Sequence, residues 1–328
     1  MPSSRPRLPL LLALVALALC GGRGDADAVA WTIVKHNGRD YITAKNIKEY
    51  YRFSSFGVSS NTLYFRSPKI EMQIRAGTDK LFINGVLFRL SYSIVAKGRD
   101  HLFSRIDFAK LIQPVLRPSH IASAKRFHTV VIDPGHGGED SGSRSVLGGQ
   151  EKAYNLRLAY MLKRELERRG FRVRMTRAAD SFPTLGQRVV FANRVPGSIF
   201  ISLHFNWFRS RTAKGLETYA LSPQGSGTHN DRGPDGRSLM GNARDSENIA
   251  LATAVHAAVL KKTRAEDRGI KRDRFAVLAG INKPAILVEG GFLSNSDEAR
   301  KIATTSYLSL MAAGIADGCV TYRNALRK

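Results

Sequence analysis

Thr129-Val130-Val131-Ile132-Asp133-Pro134-Gly135-His136-Gly137-Gly138 is the stretch on which the reading of this chain turns. Its first four residues form a short continuous apolar run, the pattern of a strand buried on both faces. The proline and glycines that follow end regular structure and leave a polar side chain, His136, directly beyond the strand. Downstream, an amphipathic helix is expected over about 152–169, with Leu158, Leu162 and Leu166 on one side and Gly170 at its C-cap. A strand over Phe171 to Met175, a helix over about 185–194, and strands over Ser198 to Leu203 and Leu216 to Leu221 follow. A glycine-rich insertion over about 222–245 precedes a helix over about 246–263. Strands near Phe275 to Leu278 and Ala285 to Val288 come next, and a last helix begins at about Asp297. Strands alternating with helices predict an α/β unit over 123–328: a twisted, mostly parallel sheet flanked by helices on both faces.

Upstream, residues 31–122 form a different unit. Gly38-Arg39-Asp40-Tyr41-Ile42 leads into an amphipathic stretch, and Gly98-Arg99-Asp100-His101-Leu102 leads into another, a faint internal repeat. Between them, Thr62 to Phe65 and Lys69 to Ile74 read as strands, and Asn84-Gly85 is a hairpin turn signal. These features predict a small α+β accessory domain preceding the larger unit. It resembles the domain found at the N-terminus of copper amine oxidases and beside many bacterial wall enzymes. His36, His101 and His120 are scattered along it and form no cluster of copper ligands. A wall-binding or positioning role is expected. Pro114, Pro118 and the basic Lys125-Arg126 mark the linker.

With 328 residues the chain suits two domains. Residues 1–30 have the anatomy of a signal peptide: Arg5 and Arg7, an apolar run from Leu8 to Leu19, then small residues. That run is too short for a comfortable membrane span. Export to the periplasm or cell envelope is expected. Cys20 after the apolar run resembles a lipoprotein signal, although Leu19 is larger than the residue expected before a modified cysteine. Cleavage in the stretch ending at Ala30 is favoured, with a lipid anchor through Cys20 as the alternative. The only other cysteine is Cys319, so the chemistry is not built on thiolates. The net charge of +24 implies polyanionic partners. No nucleic-acid reading motif is present, so wall polymers and acidic stem peptides are the expected anions and nucleic acid is not.

Four polar side chains carry the chemical argument. His136 and His204 follow strands, Glu151 opens the long helix, and Glu289 follows Ala285-Ile286-Leu287-Val288 and precedes two glycines. Strand ends of an α/β sheet form binding crevices. Two imidazoles and a carboxylate are a common catalytic zinc set, and Glu289 is placed to act as a general base. Each residue alone also has a structural reading: a strand-end hydrogen-bonder, or a carboxylate favoured by the helix dipole. The Gly-Lys-Ser/Thr of a phosphate loop and the His-Glu-x-x-His motif are both absent. Taken singly, the residues leave a metal site and a structural set open.

The whole pattern adds to this. Residues 129 to about 320 resemble the catalytic domain of zinc-dependent N-acetylmuramoyl-L-alanine amidases. The likeness rests on Asp133-Pro134-Gly135-His136-Gly137-Gly138, Glu151, Thr176-Arg177, Leu185 with Arg188, and Ser202-x-His204-x-Asn206. It continues through Gly215-Leu216-Glu217-Thr218-Tyr219, Arg268-Gly269-Ile270-Lys271 and Val288-Glu289-Gly290-Gly291-Phe292. The resemblance implies one zinc ion held by His136, Glu151 and His204, with Glu289 catalytic and peptidoglycan as substrate. Ser202 and Asn206 are expected to orient the site or the substrate, or else to satisfy strand-end backbone groups. Arg188 is expected as an ion-pair partner. Gly290 stands where the family usually has threonine, which leaves the carboxylate in place. Some relatives carry a helix that blocks the zinc at the position of 222–245. Here that segment reads as a mobile loop bordering the cleft, with self-inhibition and an activator protein left open. The rival readings are a zinc hydrolase of other specificity, a catalytically silent wall-binding protein on the same scaffold, and a polyanion-binding adaptor.

Overall fold

The computed structural model describes residues 30–98, 100–229 and 233–327. The expected leader, with Cys20, lies outside the described residues except for its last position, Ala30.

The repeat has a clear structural counterpart. β1 (Ile33–His36) and β2 (Arg39–Thr43) form one hairpin, and β8 (Val95–Lys97) and β9 (Asp100–Ser104) form the other. The two lie side by side in a four-stranded sheet of order β1-β2-β9-β8, with Ile42 opposite Phe103. Each hairpin ends on a hydroxyl that caps a helical segment. Thr43 Oγ1 accepts from Asn46 N, and Ser104 Oγ accepts from Asp107 N.

Between the hairpins runs a meander of β3 (Ser55–Ser59), β4 (Thr62–Arg66), β5 (Glu71–Arg75), β6 (Lys80–Ile83) and β7 (Val86–Arg89). The β6–β7 turn is Asn84-Gly85, with φ of 49° and 80°, as a tight hairpin turn requires. Leu63, Phe65, Met72, Ile74 and Leu81 are buried on its inner face.

The larger unit contributes β10 (Thr129–Pro134), β11 (Arg172–Met175), β12 (Ser198–Asn206), β13 (Leu216–Leu221), β14 (Asp267–Asp273) and β15 (Ala285–Phe292). Their order is β11-β10-β12-β15-β13-β14, and β14 continues into β7 through β3, so eleven strands form one sheet. β11, β10, β12 and β15 run parallel; β13 runs antiparallel to β15 and parallel to β14. Phe88 pairs with Ile270, and Leu87 N donates to Asp267 Oδ2 at 2.8 Å. The N-terminal meander therefore extends the sheet of the larger unit.

Alternation along the strands explains helices on both faces. Val130, Ile132, Ile199 and Ile201 face a core shared with the Glu151–Arg168, Asp245–Thr263 and Thr305–Ala325 helices. Val131, Phe200 and Leu287 face the opposite core, with Ala192 of the Leu185–Asn193 helix and Leu278.

Three expectations need correction. The segment near Phe275 to Leu278 is a short helix, Ala276–Ala279, and the strand lies before it at Asp267–Asp273. That strand reads Asp-Arg-Gly-Ile-Lys-Arg-Asp, and its charges hide it from a hydrophobicity pattern. The last helix is two, Ser296–Ala303 and Thr305–Ala325, each started by its own cap, Asn295 and Thr304. Lastly, the described residues flanking β13 in the 222–245 segment start away from the crevice. Because β13 is antiparallel to β15, the Leu221 end lies at the opposite edge of the sheet from Glu289. Its described residues are pinned there: Asn242 Nδ2 donates to Ser222 O at 2.8 Å, and Gly225 N to Asp235 O at 2.7 Å.

Candidate metal centre and active site

The carboxyl ends of β10, β12 and β15 meet at one sheet edge. β12 and β15 carry His204 and Glu289, opposite each other in register. β10 runs into the loop that presents His136. Two buried arginines hold that loop. Arg177 donates to Pro134 O through Nε (2.9 Å) and to Gly135 O through Nη2 (3.0 Å). Arg188 donates to Pro134 O and His136 O, both at 2.8 Å. Its charge is met by Asp133 at 2.8 Å, with both side chains buried, as the sequence reading expected of Arg188. Asp133 also accepts from Thr176 Oγ1 (2.6 Å) and Ser202 Oγ (2.8 Å). So constrained, His136 adopts a left-handed φ of 59°, a conformation that non-glycine residues hold only when their surroundings fix it.

Glu151, at the start of its helix, is the common partner of both histidines. Its Oε1 lies 3.2 Å from His136 Nε2 and 2.9 Å from His204 Nδ1. The ligand atoms of His136, Glu151 and His204 all fall within 4.8 Å of one another; among the described residues this is the one such group of three. The other nitrogen of His136, Nδ1, sits 2.7 Å from Asp140 Oδ2, a carboxylate placed to fix the ring. Glu151 Oε2 accepts from Ser143 N at 2.9 Å, and Oε1 from Phe205 N and Asn155 Nδ2. Glycines give this cluster its room. A Cβ on Gly135 would lie 2.1 Å from His204 Cε1, and one on Gly142 would lie 2.6 Å from His136 Cδ2.

Charge follows geometry. Burial works against the ionised form of Glu151, but hydrogen bonds and charge from His136 and His204 outweigh it and hold the carboxyl well below its usual range. For His136, burial favours the neutral ring, yet Glu151 and Asp140 raise its pKa. Glu289 is the contrast. Burial, then the Glu151 and Glu217 carboxylates, push it well above the usual range, with Lys271 opposing. Its Oε2 is buried without a hydrogen-bond partner. Two imidazole nitrogens converging on a carboxylate, beside an unpaired buried carboxylate oxygen, fit a divalent cation, which takes such a donor set and would relieve the repulsion between carboxylates that raises Glu289.

Asn206 and Ser202 part company. Ser202 is fully buried and its hydroxyl is spent on Asp133, so it braces the strand ends. Asn206 Nδ2 donates to Glu217 Oε2 at 3.2 Å, at the site's margin. Glu217 also accepts from Tyr219 OH (2.7 Å), Arg268 Nε and Lys271 Nζ (both 2.6 Å). Asp140 and Asn155 were not singled out from the sequence, and the residues of this Glu217 cluster stood there only as motifs of the family likeness, with no role assigned. Asp140 lies in a glycine-rich loop without periodicity, and only its spacing of four from His136 hinted at it.

An α/β sheet whose strand ends gather a metal-competent donor set and a buried carboxylate is a scaffold suited to metal-assisted hydrolysis. The chain belongs to the N-acetylmuramoyl-L-alanine amidase family, whose sequence profile matches residues 130–320. It is 29% identical to the N-acetylmuramoyl-L-alanine amidase AmiA of Salmonella typhimurium over 254 residues, covering 70% of this chain and 88% of that one. The catalytic domain of the amidase CwlV from Bacillus (Paenibacillus) polymyxa superposes with a TM-score of 0.51 at 31% identity, covering 60% of this chain and 98% of CwlV. The CwlD amidase of Clostridioides difficile, solved in complex with the GerS lipoprotein, shares the fold at 23% identity and a TM-score of 0.51, over 60% of this chain and 98% of CwlD.

Proposed function

We propose that the chain is a zinc-dependent N-acetylmuramoyl-L-alanine amidase that cleaves the amide joining the lactyl group of N-acetylmuramic acid to L-alanine in peptidoglycan. The observation carrying this reading is the convergence of His136, Glu151 and His204 beside the unpaired Glu289 Oε2, within the family's matched region. His136, Glu151 and His204 would hold the ion, which supplies Lewis acidity to the scissile carbonyl and acidity to a water molecule.

The chain's own residues do the rest. Arg177, Arg188 and Asp140 hold His136 in place. Glu289, whose carboxyl a cation bound by its neighbours would return to the ionised form, would take a proton from the attacking water on Oε2 and return it to the departing alanine nitrogen. Asn206 orients the substrate side through Glu217, whereas Ser202 supports the strands. Residues 123–328 form the catalytic unit. Residues 31–122 form the copper amine oxidase N-terminal-like unit, which buttresses β14. Residues 1–30 direct export to the periplasm or envelope, where the wall is remodelled or daughter cells part. No described helix is long and apolar enough to cross a membrane. A protein activator is a further proposed partner, on the precedent of CwlD being solved with a lipoprotein.

The test is mass spectrometry of peptidoglycan digested by the purified protein. Free stem peptides beginning with L-alanine, lost on chelation and restored by zinc, are expected. Intact wall after zinc reconstitution would sink the reading.

A further inference from the structure

Two cations converge on one buried carboxylate at the margin of the site. Glu217 is 2% exposed, and its Oε1 accepts from both Lys271 Nζ and Arg268 Nε at 2.6 Å. Lys271, whose side chain is 6% exposed, is the enclosed partner. Arg268 is different: its side chain is 33% exposed, and Nη1 and Nη2 have no hydrogen-bond partner among the described residues. Its guanidinium is also backed by the Phe292 ring, with Cζ 4.8 Å from the centroid. Glu298, the other carboxylate near Phe292, is committed to the backbone N–H groups of Phe292 and Gly215. Arg268 is thus anchored to Glu217 through Nε while its two Nη groups stay half-exposed and unpaired, and such a fork of N–H donors matches a planar carboxylate.

Its place in the sheet tells which carboxylate. Arg268 opens β14 at the edge where β15 ends. It grips Glu217, which stands opposite Glu289 in the β13–β15 ladder. Asn206, bonded to the same Glu217, lies two residues beyond His204. The fork therefore sits on the Glu289 side of the centre, away from the His136 loop. In the proposed reaction the departing nitrogen must reach Glu289, so the stem peptide leaves toward this side. A peptide spans roughly 3.5 Å per residue and neighbouring strands lie about 4.8 Å apart, which puts the fork within about two residues of the scissile nitrogen.

We infer that Arg268 is a substrate-binding residue that receives a carboxylate of the stem peptide immediately beyond L-alanine, giving the enzyme a preference for acidic over amidated stems. This rests on the amidase reading.

The experiment uses the zinc-loaded full chain and two muropeptides identical except that this carboxylate is free or amidated. Wild type is expected to favour the acidic substrate. Arg268→Gln should lower kcat/KM for it by about 10- to 100-fold, through KM, with a loss at least fivefold smaller on the amidated one. Arg268→Lys should recover part of the difference. Calorimetry with the released acidic and amidated peptides supplies a reading independent of turnover, and thermal melts check the fold. Equal losses on both substrates, or no preference in wild type, would overturn the inference and leave Arg268 as a mere brace for Glu217. Failure of wild type to cleave either substrate strikes the amidase reading instead, and peptide binding still decides for or against Arg268.

Discussion

Gly135→Ala is the sharpest probe of the metal centre, because the structure separates its steric effect from any backbone effect. Gly135 is not among the residues with positive φ, so alanine fits the backbone there without strain. The added Cβ would lie 2.1 Å from His204 Cε1, 2.3 Å from Nε2 and 2.7 Å from Nδ1. Carbon atoms rest at about 3.5–4.0 Å, so the imidazole must retreat by more than ~1 Å. His204 Nδ1 now stands 2.9 Å from Glu151 Oε1. Zinc–nitrogen bonds are about 2.0–2.1 Å with little tolerance, so such a retreat would remove one of the three proposed protein ligands. A misplacement of about 1 Å costs on the order of 100-fold in rate, and metal affinity should fall at least as far as the roughly 10- to 100-fold seen when only a supporting partner is lost. The fold should survive, at a cost of about 1–3 kcal/mol for overpacking. The assay is zinc competition against a chromophoric chelator, run with a circular-dichroism melt. Gly186→Ala, whose Cβ meets nothing nearer than Thr184 Oγ1 at 4.0 Å, serves as the neutral comparison. Wild-type zinc affinity in Gly135→Ala would refute the assignment of His204 as a ligand.

Glu289→Gln should abolish turnover by about 100- to 10,000-fold while stabilising the metal-free protein. The pKa of Glu289 is raised in the fold, so its stabilising contribution is complete below the ordinary carboxylate range and lost as pH climbs through the raised value. Metal-free melts at neutral pH should therefore place the variant above wild type; a lower melting temperature would contradict the burial argument. Asp140→Asn weakens the hold on His136 Nδ1 and should cost about 10- to 100-fold in zinc affinity by chelator competition. Arg188→Met leaves Asp133 buried without its cation and should destabilise by about 3–5 kcal/mol in urea unfolding. Residues 123–328 produced alone lose the Phe88–Ile270 pairing and bare the β14 edge, so size-exclusion chromatography should show aggregation instead of a clean monomer.

The parts of the fold legible in the sequence are those where side chains face one environment along a whole element. Thr129-Val130-Val131-Ile132 is buried on both faces and reads as a strand, and Leu158, Leu162 and Leu166 repeat at helical spacing over one core. β14 was missed for the opposite reason. Arg268, Lys271 and Arg272 are buried or half-buried, but their charges are met by groups far away in sequence, such as Glu217, which no local pattern displays. The site followed the same division. His136 and Glu151 sit at element ends, and His204 and Glu289 stand where the apolar run of β12 or β15 is broken, so that a polar residue is conspicuous. Asp140 and Asn155 work through contacts with the first group, Glu217 through Asn206, Arg268 and Lys271, and none of the three carries such punctuation. The 222–245 segment was misplaced because the direction of β13 is invisible locally. One antiparallel strand in a parallel sheet sends the chain to the far edge.

The measurement that most directly tests the central claim is digestion of peptidoglycan by the zinc-loaded protein in water enriched in oxygen-18. Hydrolysis at the lactyl amide places one heavy oxygen in the muramic acid carboxylate and none in the peptide, whose new end is the L-alanine amine. That labelling, absent with Glu289→Gln, is the predicted result. Heavy oxygen in a peptide carboxylate would show that the enzyme cuts a peptide bond instead, and would contradict the account.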